Sequence, residues 1–301
     1  MSPSTRALST LAFATLVTIA LMMGANHVAA RLAFDSGADV STAVAVRSGA
    51  TGLATALLLA LQGVSLRLPA RQWRALLAIG LLLGVQSIWL YSAVARLPVA
   101  LALLAFNTYP LCVALWARAL FGQRLERRLL IAMAVLLAGL ALALDVLGAS
   151  SGLGVAGQWR QIGTGVAYAL AASLAFSLAL VLTQHGAGDV DGRLRTCVSM
   201  LVVGVVALAV VGTRGGFHWP GSAIGWWGLA LLTLLYGTGI TVLLTVLPRL
   251  GVVGNTAIMN VEPVFALVLA WLVLGQRIAA LQVLGALVVV GSVLWLGLRR
   301  R

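Results

Sequence analysis

Glu262 is the residue whose position in the sequence most clearly predicts chemistry. It stands beside Pro263 in a predominantly apolar stretch that runs from about residue 252 to residue 273. A charged side chain at the centre of a bilayer costs on the order of 3 kcal/mol on insertion scales. Pro263 also lacks the N–H that would bond the carbonyl of Met259, so a backbone acceptor is freed nearby. This pattern predicts a site for a proton or for a ligand's cationic group. The structural alternative is a protonated Glu262 that bonds a neighbouring carbonyl and fixes the helix break.

Arg47 is a second ionisable residue inside an apolar stretch. It lies about seven residues within the segment 40–61, or about 10 Å deep at a rise of 1.5 Å per residue. A guanidinium at that depth predicts bidentate binding of a carboxylate or phosphate, or an ion pair with Glu262. The alternative is that its long side chain extends to the outer interface of the membrane.

Further polar residues within the apolar stretches are candidates for lining a binding site. Asn107 and Asn260 each lie three residues before a proline, so they share its helix face and could instead bond the freed carbonyls. The complete set of predicted substrate- or proton-binding residues is Glu262, Asn260, Asn107, Tyr109, Arg47, Asn26, His27 and Tyr236.

The sequence predicts no catalytic residues, metal site or cofactor. The three histidines are far apart along the chain, and Cys112 and Cys197 belong to no CxxC pair. A lipid-modifying membrane enzyme would need a nucleophile with its base, or clustered carboxylates, whereas Glu262 stands alone. No Gly-rich stretch ends in the GK[ST] of a Walker motif, which argues against ATP coupling. We therefore predict that the protein is not an enzyme.

The composition indicates a membrane protein. Of the 301 residues, 61% are hydrophobic and only 9% are charged, with a mean hydropathy of +1.07. Soluble domains carry about 25% charged residues. The net charge of +13 comes from 20 arginines, which fall mostly between apolar runs. That distribution is typical of residues that set membrane topology, so we predict the lipid bilayer as a partner and no nucleic acid.

Ten stretches are long enough to span a bilayer, which requires about 20 apolar residues. They run roughly over 9–31, 40–61, 75–95, 99–119, 128–147, 162–184, 195–213, 224–247, 252–273 and 279–298. With this topology, 14 arginines lie on the side of the N-terminus and 5 on the other side. The bias predicts that both termini are cytoplasmic, in the inner membrane of a bacterium.

The sequence aligns with itself, without a gap, after a shift of 153 residues. From Ala95 to Arg124 the two copies share 9 of 30 residues, including Asn107 with Asn260 and Pro110 with Pro263. Asn and Pro are scarce in this chain, so these matches indicate a duplication rather than shared apolar composition. We predict one membrane domain, 1–301, built from a first repeat over 1–148 and a second over 160–301. Five spans in each repeat make the two copies inverted in the membrane, as in many secondary transporters.

These features resemble the EamA-like family of the drug/metabolite transporter superfamily. The resemblance rests on Gly24-Ala25-Asn26, on Arg47, on the run from Ala93 to Pro110, and on Asn260-Val261-Glu262-Pro263. It covers essentially the whole chain and implies ten helices and a transport function for amino acids, metabolites or drugs. One departure stands out, because the family usually has Gly-Glu where this chain has Gly122-Gln123 and Gly275-Gln276. Functions that rest on those carboxylates are not carried over.

The sequence thus predicts a secondary active transporter that exports a small metabolite, amino acid or drug-like compound by alternating access, with the proton as coupling ion. A flippase for a lipid or lipid-linked carrier is the alternative within transport, and a non-transporting membrane partner or sensor is the alternative outside it. The protein is expected to act as a monomer or a homodimer, and the sequence does not decide between them.

Overall fold

A computed structural model of the chain describes residues 10–64, 66–122, 127–145, 147–149, 151–250, 262–276 and 279–298. Within these ranges every regular element is an α-helix. The helices are α1 (Thr10–Asp35), α2 (Val40–Leu61), α3 (Ala70–Val94), α4 (Val99–Phe106), α5 (Tyr109–Phe121), α6 (Arg127–Ala143), α7 (Gly154–Gly186), α8 (Gly192–Thr213), α9 (Ala223–Leu250), α10 (Glu262–Leu274) and α11 (Ala280–Leu298).

Seven helical stretches of the described chain are long and apolar enough to cross a membrane. They lie in α1, α2, α3, the α4–α5 pair, α7, α8 and α9. Helix α10 and part of α11 are apolar but shorter. Large apolar side chains such as Leu53 and Trp227 are exposed, as expected for surfaces that face lipid. The chain is therefore a multi-pass, all-helical membrane protein, as its composition predicted, while the count of ten spans stays a prediction.

The α4–α5 pair is a single apolar segment with a break at Asn107 and Thr108. Pro110 lies in the first turn of α5 and cannot continue the hydrogen-bond ladder of α4. Asn107 Nδ2 donates to the Leu103 carbonyl at 3.0 Å, and Thr108 Oγ1 donates to the Ala105 carbonyl at 2.9 Å. The side chains at the break therefore bond the last carbonyls of α4, where a membrane offers no water to do so.

The ends of α5 and α10 have the same backbone conformation. Gly122 and Gly275 follow these helices with φ of +67° and +63°, in the left-handed region that favours glycine. The two glycines are equivalent under the 153-residue shift. The repeat seen in the sequence is thus matched by the same kind of helix end in each half.

Packing between the helices joins the first half of the chain to the second. Helix α1 packs on α9 and α10, α2 on α8, α3 on α7, α6 on α11, and both α4 and α5 pack on α7. Every residue of α4 is buried, and α4 lies in a core cluster with residues of α7, α10 and α11. A second cluster joins α1, α2, α3, α8 and α9. The polar side chains described next lie where these packed helices meet.

Helices α2 and α8 begin with aspartate caps outside the membrane-spanning segments. Asp39 accepts from the Thr42 N–H at 2.8 Å, and Asp191 accepts from the Arg193 N–H at 2.8 Å. Burial would raise the pKa of Asp39, but hydrogen bonds from Ser41 and Thr42 outweigh it and bring the pKa below its usual value. Hydrogen bonds from Arg193 lower the pKa of Asp191 to about 2. Both caps are therefore anionic near neutral pH.

Candidate functional site

Glu262, at the start of α10, and His27, in the C-terminal half of α1, are in contact. His27 Nε2 lies 3.4 Å from Glu262 Oε1, and the two side chains are only 6% and 17% exposed. His27 Nδ1 is buried and has no hydrogen-bond partner among the described residues. The ionisable side chain that the described structure places in contact with Glu262 is thus His27, whereas the sequence had raised an ion pair with Arg47.

The close approach of α1 to α10 depends on Gly24. A Cβ atom at this position would lie 3.1 Å from both the Ala266 nitrogen and the Glu262 carbonyl oxygen, and 3.3 Å from Phe265 Cβ. These contacts are tighter than ordinary van der Waals spacing. Gly24 lies one turn before His27, so it brings the histidine within reach of Glu262.

Tyr91 connects His27 with Asn26. Its hydroxyl donates to Asn26 Oδ1 at 2.7 Å, and its ring centroid lies 5.2 Å from that of His27. Asn26 in turn donates from Nδ2 to the Met23 carbonyl at 3.3 Å. Tyr91 is also close enough to Glu262 to interact with it electrostatically. Asn26 and Tyr91 are both buried, which fixes the hydroxyl and the ring in one arrangement.

Arg47 is buried against two tyrosine rings. Its guanidinium carbon lies 4.6 Å from the ring centroid of Tyr91 and 3.5 Å from that of Tyr236. Only 1% of the residue is exposed, so the alternative of extension to the outer interface is wrong for this conformation. Within the described part of the chain, its Nε and Nη1 atoms are buried without a hydrogen-bond partner. A buried guanidinium that lacks hydrogen-bond acceptors is costly, and cation–π contacts offset only part of that cost.

Tyr109 and Asn107 lie at the junction of α4 and α5. The Tyr109 ring packs against Phe106 and Phe176, at centroid distances of 5.6 and 5.1 Å. Asn107 is buried and bonds the Leu103 carbonyl, which is the structural alternative considered for it. Asn260 lies outside the described residues.

The structure therefore brings Asn26, His27, Arg47, Tyr236 and Glu262 into one polar cluster, here called the Glu262 cluster, together with Tyr91. Tyr91 was not in the set of binding residues predicted from the sequence. Its signal was a tyrosine in a stretch that also holds Gln86 and Ser87, all three of which are buried.

The chemistry available to the Glu262 cluster is proton exchange and ion binding. One carboxyl, one imidazole and one guanidinium lie together with two phenols and an amide, shielded from water. Within the described ranges no three His, Cys, Asp or Glu side chains lie together as a metal site would require. A carboxyl and an imidazole in contact can share, hold and release a proton.

Comparisons with known proteins place the chain in a family. The sequence model of the EamA-like transporter family matches residues 10–144 and 163–298. The threonine/homoserine exporter RhtA from two strains of Salmonella typhimurium, SL1344 and LT2, is 26% identical over 269 residues, with 85% of this chain and 85% of the exporter covered. A solved crystal structure superposes on 97% of this chain and 99% of its own, with a TM-score of 0.64 and 19% identity, which shows likeness of fold.

The two family matches together cover most of the 301 residues and include α1 to α6 and α8 to α11 in full. They also include each described residue of the Glu262 cluster. A polytopic helical chain with this match is a member of a transporter family, and the chain belongs to the EamA-like transporter family.

Proposed function

We propose that the protein is a secondary active exporter of a small metabolite, with the Glu262 cluster as its substrate- and proton-binding site. The single observation that carries the proposal is the contact between Glu262 and His27, which lies in a buried cluster at the junction of the two halves of the chain. Ionisable residues inside a membrane domain are costly and are usually functional.

The proposed mechanism is alternating access by two inverted repeats, 1–148 and 160–301. The pattern of helix packing supports it, because exchanging the halves maps the pairs onto one another. The contact of α1 with α9 corresponds to that of α7 with α3, and the contact of α1 with α10 corresponds to that of α7 with the α4–α5 pair. Each of the two remaining pairs, α2 with α8 and α6 with α11, consists of a helix packed on its own equivalent in the other half. Two repeats related in this way supply the same fold in two poses, one for each open state.

Proton coupling is proposed to occur at Glu262. A proton and a positively charged group of the substrate would compete for the same carboxylate, so a proton that binds from outside releases the substrate there. His27 contacts Glu262 and would stabilise its anionic form after the proton leaves toward the cytoplasm. Asn26, Asn107, Tyr109, Tyr236 and Asn260 are proposed to line the path beside this pair. The net reaction is an exchange of one bound ligand for another, without a covalent step.

The first compounds to test are threonine and homoserine, since the relatives that match are named as exporters of these two amino acids.

We also propose how the chain is placed in the cell. Both termini are proposed to face the cytoplasm of a bacterium, with the chain in the inner membrane as a monomer or homodimer. Labelling of single cysteines introduced into Arg-rich and Arg-poor loops would test the orientation.

The decisive experiment compares metabolites in the medium of cells that express the wild type, Glu262→Gln, Asp35→Asn or no transporter. Asp35→Asn is a matched control, because Asp35 also pairs with a cation, Arg31 at 2.8 Å, but is 55% exposed and lies outside the cluster. Membrane levels are matched by immunoblot.

We expect at least one small compound to accumulate with the wild type and with Asp35→Asn, and to return to background with Glu262→Gln. Accumulation that Glu262→Gln leaves unchanged would remove the proposed role of this carboxyl. If no compound accumulates with the wild type, the proposal of export is wrong.

A further inference from the structure

Arg47 is the buried cation of the Glu262 cluster, and no described residue fills its hydrogen-bonding capacity. The residue is 1% exposed, and its Nε and Nη1 atoms have no partner among the described residues. We propose that Arg47 is the receptor for a carboxylate group of the transported compound. This inference rests on the proposed transport function and specifies the chemical class of the substrate.

The surroundings of Arg47 favour an incoming anion over a resident one. Tyr91 and Tyr236 contact the guanidinium with their rings, which attract the cation but accept none of its in-plane N–H bonds strongly. The Tyr91 hydroxyl is already committed to Asn26 at 2.7 Å. Glu262 is engaged with His27 at 3.4 Å. The carboxyl, hydroxyl and rings of the cluster therefore leave two guanidinium nitrogens without an acceptor.

A carboxylate matches the guanidinium in charge and in hydrogen-bonding geometry. The guanidinium has five N–H donors in a planar fork, which matches the two oxygens of a carboxylate. The rings hold the guanidinium in place beforehand, so little side-chain freedom is lost when the anion binds. A bound carboxylate would also neutralise a cation that is otherwise buried unpaired.

A carboxylate receptor at Arg47 separates one class of substrate from the others. Amino acids and other organic acids supply a carboxylate, whereas cationic or neutral drug-like compounds do not. The amine or other polar end of an amino acid would then be read by the remaining polar groups of the cluster. A substrate that lacks a carboxylate would leave Arg47 as unpaired as it is in this conformation.

Arg47→Lys separates binding from structural support. Lysine keeps the positive charge and can still contact both tyrosine rings, but it loses the planar fork. Arg96→Lys is the matched control, because the Arg96 guanidinium carbon also lies over a tyrosine ring, 5.0 Å from that of Tyr168, yet the residue is exposed and outside the cluster. A purely structural cation would be replaced equally well by lysine at both positions.

The experiment measures thermal stabilisation of the purified full-length protein by L-threonine, by L-threonine methyl ester and by every compound found in the export screen. Each carboxylate in the set is paired with its methyl ester. Ligands are added up to about 10 mM, at which a site with a Kd of about 1 mM would be about nine-tenths filled. The comparison of acid with ester uses only the wild type, so it stands even if Arg47→Lys folds poorly.

We expect a carboxylate to stabilise the wild type and its ester to fail. Arg47→Lys should weaken the apparent affinity roughly 10- to 100-fold, as expected for loss of a charged hydrogen bond, while Arg96→Lys binds as the wild type does. Esters that bind as well as acids, unchanged affinity in Arg47→Lys, or no stabilisation by any carboxylate would each overturn the inference.

These outcomes can be told apart from failure of the proposed function. Export of a compound without a carboxylate, dependent on Glu262, would keep the transporter and refute the site at Arg47. Binding of a carboxylate that requires Arg47, without export in the metabolite screen, would keep the site and refute the transport function.

Discussion

The starts of helices α5 and α10 occupy equivalent positions under the 153-residue shift but differ in their chemistry. At the start of α5, Tyr109 packs among the aromatic rings of Phe106 and Phe176. At the equivalent position of the second half, Glu262 begins α10 and contacts His27 in a polar cluster. A proline follows each residue directly. The start of α5 is thus packed among aromatic rings, whereas the start of α10 carries an ionisable group.

The same contrast extends to the neighbouring contacts. Gly24 of α1 lies against Phe265 of α10, and Ser177 of α7, its equivalent after the shift of 153, lies against Cys112 of α5. A Cβ atom at the first contact would lie only 3.1 Å from two backbone atoms, while the second contact holds a buried serine whose hydroxyl donates to the Leu174 carbonyl at 2.8 Å. The helix pairing is thus alike at the two contacts, whereas the side chains differ, and the ionisable group lies on the side of α1.

The largest difference between the halves is expected for substitutions at the two equivalent positions. Glu262→Gln removes the titratable group, so we expect loss of transport driven by a pH gradient. Tyr109→Phe removes only a hydroxyl and keeps the aromatic packing, so we expect a rate within about 2-fold of the wild type, since loss of one neutral hydroxyl interaction is a small change. Initial rates in vesicles with matched protein levels measure both. Equal losses in the two variants would show that the positions are not specialised.

The contact between α1 and α10 offers a second test. Gly24→Ser places in α1 the residue that α7 has at the equivalent position, and its Cβ would crowd the backbone of Glu262 and Ala266. We expect a stability loss of about 1–3 kcal/mol from overpacking, with lower transport because His27 is displaced from Glu262. The reverse exchange, Ser177→Gly, should cost no more than about 1 kcal/mol. Thermal unfolding of the two purified variants checks the order, and equal stability would contradict it.

How far the sequence predicts this site depends on whether a residue's role is local. Glu262 and Arg47 are conspicuous because ions are rare in apolar stretches, and Pro110 predicts the break between α4 and α5 without tertiary information. The pairing of His27 with Glu262 joins residues 235 positions apart, and only the packing of α1 on α10 brings them together. Tyr91 was not singled out because a tyrosine is common at membrane interfaces, and its contacts with Asn26 and Arg47 depend on three helices.

The side chain of Gln276, in the second half of the chain, caps a helix of the first half. Its Oε1 accepts from the Val99 N–H at 3.1 Å, so the end of α10 caps the start of α4. Gln276→Ala would leave this N–H without its acceptor and should cost about 1 kcal/mol. Gln276→Glu keeps an acceptor and should retain most of that stability. Thermal unfolding distinguishes the two variants, and the idea of a cap is wrong if alanine is as stable as glutamine.

The smallest effects are expected at the aspartate caps of α2 and α8. Asp39→Ala should destabilise the protein by about 1 kcal/mol, and Asp39→Asn by less, because asparagine still caps the helix. The lowered pKa values of Asp39 and Asp191 mean that their stabilising effect is present above the ordinary aspartate pKa of 3.8. For Asp191 it is lost as the pH falls toward about 2. The stability difference between Asp39→Ala and the wild type should therefore be present at neutral pH and should shrink as the pH falls below the ordinary aspartate pKa of 3.8. An undiminished difference in acid would contradict the assignment.

The central claim, that Glu262 couples proton movement to export, is tested most directly in proteoliposomes with a pH-sensitive dye inside. A compound identified in the export screen is added outside, and the proton flux that it drives is recorded for the wild type, Asp35→Asn and Glu262→Gln. We expect a proton flux that depends on the compound in the wild type and in Asp35→Asn, and no such flux in Glu262→Gln. An undiminished flux in Glu262→Gln would contradict coupling at Glu262.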